Sequence, residues 1–188
     1  MPAQLLDLLA GLGPLPAHIL RAIEEVPRHH FISEIFRDEA YKDSAPPIGH
    51  GAHASRPSTV VRMLSLLGKP RKVLEVGTGC GWKTALLSTF CEVHSIEINQ
   101  GLHERAKRDL RGFNVNLYHG DGLKGIHDKA PFDGIIVCAA VKQVPPALLE
   151  QLSGVMVLPI GDETHQELFR ITKDSSESFG PCGFMKVQ

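Results

Sequence analysis

The stretch "KVLEVGTGCGWKTALLSTFCEVHSIE", Lys72 to Glu97, constrains the fold more than any other part of the 188-residue chain. A short apolar run breaks at three alternate glycines, a helical stretch follows, and a second apolar run ends on an acid. Two strands joined this way lie parallel, because a helix-length crossover returns the chain to the same end of the sheet. The alternation continues. Gln100 to Leu110 reads as a helix with Glu104 and Arg108 four residues apart, "VNLYH" (115–119) and "DGIIVCA" (133–139) as strands, Pro146 to Leu152 as a short helix and "VMVLPI" as a fifth strand. "QELFRIT" and "GFMKV" read as a terminal pair of strands, with Ser175 to Ser178 as a polar turn. Apolar strands with intervening helices predict a mostly parallel sheet covered on both faces, a doubly wound α/β fold.

Residues 1 to about 44 read as helical. Leu5, Leu6, Leu8, Leu9 and Leu12 fall at amphipathic spacing, Pro14 and Pro16 separate them from a helix over His18 to Glu25, and a third helical stretch, Arg28 to Ala40, follows Val26–Pro27. The next fifteen residues, "DSAPPIGHGAHASRP", are too polar and too broken for either regular period; a loop of this length in a small chain points to function. Val60 to Leu67 then reads as a helix closed by Gly68 and Pro70.

Charge excludes some partners. Twenty Lys plus Arg against 21 Asp plus Glu leave no basic excess for a phosphate backbone, so no nucleic acid is expected. The N-terminus lacks a basic segment followed by an apolar one, and no apolar run approaches the ~18 residues of a span, so neither export nor membrane anchoring is expected. Cys80, Cys91, Cys138 and Cys182 form no C-x-x-C pair, which fits buried thiols in a reducing cytoplasm. With no oversized exposed apolar segment, a monomer is expected.

The chemistry gathers at the strand ends. Gly77, Gly79 and Gly81 let the backbone turn sharply and approach a ligand, with the next helix pointing its first N–H groups the same way. Glu97 ends the adjacent strand twenty residues after Gly77, where an acidic side chain accepts hydrogen bonds from both ribose hydroxyls. Asp121, in "HGDG", is placed to accept from an exocyclic adenine amine, and Cys138, Ala139 and Ala140 are small enough to leave room beside the glycine loop. Each feature also has a structural reading, as a tight turn or a solvated strand end. Together they describe a nucleoside cleft, which serves nicotinamide redox chemistry or methyl transfer. A dehydrogenase needs a pyrophosphate seat and a second mononucleotide half, for which 188 residues with a long helical N-terminus leave little room, so methyl transfer is favoured. His50 and His53 flank Gly51 without the further ligands a metal needs, so no metal is expected, and His50 reads as shaping the loop or bonding peptide backbone.

In order along the chain, "VPRHHF", "PIGHG" followed by "SRP", "VLEVGTGCGWKTALLS", "HGDG", "APFDGIIVCAA", "VPPALLEQL" and "VLPIGDETHQEL" resemble the protein-L-isoaspartate O-methyltransferases. The resemblance implies one Rossmann-like methyltransferase domain of about seven strands with the last pair partly antiparallel. Residues 1–57 would form a helical cap and acceptor loop, and 58–188 the α/β core. It implies S-adenosylmethionine as donor and, as acceptor, the free α-carboxylate of isoaspartyl residues in damaged proteins, with methylation initiating repair. It places Ser55 between donor and acceptor as the catalytic residue. Donor contacts fall on Ser55, Gly77, Thr78, Gly79, Cys80, Glu97, Asp121, Gly122 and Gln166, with Cys80 contributing backbone or packing. His50, Gly51, His53 and Ala54 would face the acceptor. The run Ala52-His53-Ala54 replaces a Gln-Thr-Ile run usual in that family, which leaves two alternatives: a different dedicated peptide carboxylate, or a donor-binding protein without turnover.

Overall fold

The computed structural model describes residues 3–162 and 164–184. Seven strands form one sheet: β3 (Lys72–Val76), β4 (Glu92–Glu97), β5 (Val115–His119), β6 (Phe132–Val137), β7 (Leu152–Gly161), β8 (Gln166–Ile171) and β9 (Ser176–Pro181). Their spatial order is β5-β4-β3-β6-β7-β8-β9. The first five are parallel, and β7, β8 and β9 pair antiparallel. Order reverses at β3, where the chain leaves for β4 on one side and β6 lies on the other; ligands of open α/β sheets bind above such a point.

Side chains of the central strands alternate between two apolar layers. Ile135, Val137, Met156 and Leu158 pack on one face, Ile136 and Val157 on the other. The second layer is closed by α3 (Pro57–Leu67), α4 (Trp82–Ser88) and α5 (Gln100–Asp109), together with N-terminal helices α1 (Ala3–Ala10) and α2 (Ala17–Glu25). The first is closed in part by α6 (Pro146–Gln151) through Leu148. Pro57 sits in the first turn of α3, where its missing N–H costs nothing, and Gly68 caps the end at φ 78°. Among the described residues no helix is long and apolar enough to cross a membrane.

Three expectations need correction. Arg28 to Ala40 is not an α-helix but two 3₁₀ turns, Arg28–Phe31 and Glu34–Glu39, separated because Ile32 is extended (φ −110°, ψ 137°). The loop between residues 43 and 57 contains a small antiparallel pair, β1 (Pro47–Gly49) and β2 (Ala52–His53). The last strand is Ser176–Pro181, covering much of the segment read as a turn, because Phe169 pairs with Ser178 and Ile171 with Ser176. An edge strand draws its order from backbone pairing and needs no apolar alternation, so its polar sequence hid it. Of the expected "GFMKV" strand, Gly183 and Phe184 lie outside any strand and residues 185–187 lie outside the described residues.

Candidate active site

The carboxyl ends of β3, β4, β5 and β6 open onto one cavity. Its floor is the loop Gly77 to Cys80, its sides come from Glu97 to Asn99 and from Asp121 to Leu123, and Cys138 and Ala139 close the end beside β6. The hairpin β1–β2 crosses over it, bringing His50, Gly51, His53, Ala54 and Ser55 to the same space.

The loop after β3 is fixed by its neighbours. Gly77 N–H donates to Ile96 O at 2.8 Å and Cys138 N–H to Val76 O at 2.9 Å, which locks the β3 corner to the strands on both sides. Gly77 has φ 93°, a conformation that favours glycine, and a Cβ there would stand a tight 3.2 Å from Cys138 Cβ. Thr78 turns its hydroxyl inward, 2.6 Å from Ser95 Oγ, and offers the cavity chiefly backbone. Cys80 is buried, and burial pushes its thiol pKa up, which suits the packing role expected of it.

Glu97 joins two strand ends. Its Oε2 accepts from Gly79 N–H and its Oε1 from Asn99 N–H, each at 3.0 Å. A carboxylate oxygen has two acceptor positions, so one on each oxygen remains for a ligand that offers a pair of hydroxyls. Asp121 similarly holds Leu123 N–H through Oδ1 at 3.0 Å, and Gly122 beside it is buried in the wall. Ile98, 46% exposed, presents an apolar side chain next to Glu97.

Beneath the loop lies an ion pair of which the glycine motif itself contributes Glu75 and sequence reasoning missed the partner, Lys83. Glu75, on β3, is fully buried and accepts from Ser95 Oγ at 2.6 Å and from Thr84 Oγ1. Lys83 of α4 brings its ammonium to 3.7 Å from Glu75 Oε1 and donates to Cys138 Sγ. Burial pushes the Glu75 carboxyl up, opposed by Lys83, Ser95 and Thr84. Burial likewise opposes the charge on Lys83, but Cys138 and Glu75 outweigh it and hold its pKa above the ordinary value. A lysine early in a helix looks solvent-facing in sequence; the available signal was Glu75, an acid inside an otherwise apolar strand.

Arg28 was legible only as part of "VPRHHF". It is buried, its Nη1 donates to Ala40 O at 2.9 Å, and its Nη2 donates to Ser44 O at 3.1 Å and Ser55 O at 3.0 Å. Its guanidinium stands 5.4 Å from the Trp82 ring centroid. One side chain thus fixes the N-terminal segment and the Ser55 backbone together. From the core, Arg105 donates to Ile48 O at 3.1 Å and Phe31 O at 3.0 Å, anchoring the hairpin on its other side. His50 sits at φ 53° and lays its imidazole over Gly101, where a Cβ would fall 2.2 Å from the ring.

Ser55, His53, Ala54 and Cys138 also line a second cavity that extends toward Arg56 and Cys182. Gln166 belongs to this second space and does not reach the first. Its Nε2 donates to Asp162 O and Phe184 O, and its Oε1 accepts from Phe184 N–H at 2.7 Å, so its amide holds the segment after β9. The structure therefore brings every other expected site residue to the cavity over β3 and sets Gln166 apart from it.

The family model described as Protein-L-isoaspartate(D-aspartate) O-methyltransferase (PCMT) matches residues 4–187. The chain belongs to this family. It is 46% identical over 176 residues to the protein-L-isoaspartate O-methyltransferase of Chromobacterium violaceum, covering 89% of this chain and 79% of that one. The relative from Aliivibrio fischeri is 46% identical over 186 residues, 94% of this chain and 89% of its own. A solved protein-L-isoaspartate O-methyltransferase superposes with TM-score 0.86 at 25% identity, over all of this chain and 66% of that one. A putative Plasmodium falciparum protein-L-isoaspartate O-methyltransferase, solved with S-adenosyl-L-homocysteine, shares the fold with TM-score 0.83 at 21% identity, over 98% of this chain and 96% of that one. The protein-L-isoaspartate O-methyltransferase fold thus accounts for the whole described architecture, antiparallel end included.

Proposed function

We infer that this chain transfers the methyl group of S-adenosylmethionine to the free α-carboxylate of L-isoaspartyl residues in damaged proteins or peptides. The observation that carries this reading is the position of Ser55 on the wall common to two cavities, in a chain of this family. The first cavity suits the donor. Glu97 keeps acceptor capacity for two ribose hydroxyls, Asp121 for an exocyclic amine, and Ile96, Ile98 and Leu123 offer apolar surface for a purine. When bound, S-adenosylmethionine supplies a methyl group made electrophilic by an adjacent sulfonium.

The residues of the chain then have a limited task. A carboxylate is ionised at neutral pH, so no general base is needed. Ser55 Oγ makes no hydrogen bond to another described residue and is free to donate one to the acceptor carboxylate, orienting it without protonating it. Arg28 holds the Ser55 backbone, and the hairpin that carries His50 covers the cavity and excludes water. His53 and Ala54, common to both cavities, and Gly51, on the first, would border the acceptor, and Thr78, Gly79 and Cys80 would border the donor. Gln166 is assigned to the acceptor side. Residues 1–57 serve as cap and acceptor loop on a 58–188 core, and the four free cysteines suit a chain working in a reducing cytoplasm.

Three parallel incubations test the reading, each with labelled S-adenosylmethionine: an isoaspartyl peptide, its aspartyl isomer, and donor alone. Methyl transfer to the isoaspartyl peptide only is expected. Transfer to the aspartyl isomer assigns a different acceptor, and donor binding without transfer removes the enzymatic reading.

A further inference from the structure

The cavity beyond Ser55 carries a charge that methyl transfer itself does not require. Asp43, Arg56, His165 and His53 reach it from different segments. Asp43 is engaged on both oxygens, by Ser58 N–H at 2.9 Å and Ser58 Oγ at 2.7 Å, and its charge sits at the first turn of α3, where the helix dipole favours an anion. His165 stands 3.3 Å from Glu167 Oε1. Arg56 is different. Among the described residues its guanidinium has neither an ion-pair nor a hydrogen-bond partner, it is exposed in the cavity wall, and it follows Ser55 directly.

A guanidinium paired with the reacting carboxylate would work against transfer, because it stabilises the charge that the nucleophile must give up and is left unpaired beside a neutral ester. A carboxylate elsewhere on the acceptor keeps its charge throughout. Neighbouring Cα atoms stand about 3.8 Å apart, so a side chain one residue from the reacting group falls near an arginine that begins one residue from Ser55. We propose that Arg56 pairs with an acidic side chain adjacent to the isoaspartyl residue, so that this chain prefers isoaspartyl sites flanked by Asp or Glu over sites flanked by neutral or basic residues. The inference rests on the isoaspartyl reading above.

The test uses the full chain and three isoaspartyl peptides that differ only in flanking Glu, Gln or Lys. An exposed pair of this kind gives a KM for the Glu peptide ~3–5-fold below that of the Gln peptide at low ionic strength, with the Lys peptide weaker still. The Gln-to-Glu KM ratio is expected to fall toward one in 0.5 M salt by screening, roughly the regime where the Debye length is a few ångströms. Arg56→Gln is expected to collapse the ratio, and Arg56→Lys to retain most of it. Equal KM values in the wild-type chain, or a ratio that survives Arg56→Gln, overturns the inference and leaves the isoaspartyl reading intact. Transfer to none of the three peptides overturns that reading and the inference together. Equal KM values for the Glu and Gln peptides in the wild-type chain overturn the inference even if Arg56→Gln does not fold, and retention of the ratio by Arg56→Lys is then the arm that assigns it to this position.

Discussion

Lys83 Nζ lies 3.7 Å from Glu75 Oε1 beneath the glycine loop, with both side chains buried and Lys83 reaching the wall of the donor cavity. Removing one partner leaves the other as an uncompensated buried charge. Lys83→Met is therefore expected to lower unfolding free energy by about 3–5 kcal/mol, and Glu75→Gln in the same chain to restore much of it. Denaturant unfolding of the two single variants and the double variant measures the coupling; additive losses would show that the pair does not act as a unit.

Glu97 is the residue on which donor affinity should depend most. Glu97→Gln places an amide NH₂ where one carboxylate oxygen now accepts from Gly79 N–H or Asn99 N–H, and removes a charged acceptor from the cavity. Losing hydrogen bonds to a charged group costs about 1.5–3 kcal/mol, so S-adenosylhomocysteine should bind ~10–150-fold more weakly by calorimetry. Unchanged affinity would remove Glu97 from the donor site.

Ser55→Ala should separate turnover from donor binding. With no other described residue bonded to Ser55 Oγ, the substitution leaves the packing unchanged and removes one oriented donor to the acceptor. A fall in kcat of ~10–100-fold is expected from lost alignment of the acceptor oxygen, with S-adenosylhomocysteine affinity within about twofold of wild type. A kcat that does not move would place the orienting group elsewhere.

Much of the site could be read from the chain because strand ends obey a simple geometric rule. Once β3, β4 and β5 are recognised, Gly77, Glu97 and Asp121 must come together. What stayed hidden was polar chemistry inside the core. Arg28 and Lys83 look like surface charges in a sequence, since nothing local reveals that backbone carbonyls from residues 40, 44 and 55, or an acid on a neighbouring strand, will surround them. Gln166 misled in the opposite direction. It lies near the reacting region, but its amide is engaged by Asp162 and Phe184, partners that only the folded β7–β8 corner and the segment after β9 bring together.

Thiol chemistry gives a prediction with a sign. Burial pushes Cys138 up to about 12, despite Lys83, and Cys91 also to about 12. Against the expectation of buried thiols only Cys80 is buried, and Cys91 and Cys138 are half-buried. At pH 8 a thiol with so high a pKa is ionised in roughly one molecule in ten thousand, so iodoacetamide should still label these two more slowly than an unfolded control. The folded chain keeps these two protons above the ordinary thiol value of 9.0, where the unfolded chain releases them. Their contribution to stability is therefore complete below pH 9 and declines as pH rises from 9 toward 12. Thermal melts across that window should shift downward, and less so in a Cys91→Ala, Cys138→Ala variant.

Arg28→Met should lower stability by about 2–4 kcal/mol, since the buried Ala40 carbonyl and the part-buried carbonyls of Ser44 and Ser55 lose their donor at once. Residual folded protein should retain donor binding better than turnover, measured as kcat against S-adenosylhomocysteine affinity.

That single guanidinium makes chemical competence hostage to the least sheet-like third of the polypeptide. A molecule whose strands have assembled but whose first turns have frayed still has its glycine loop and Glu97 in place, yet loses the guanidinium that pins the Ser55 backbone.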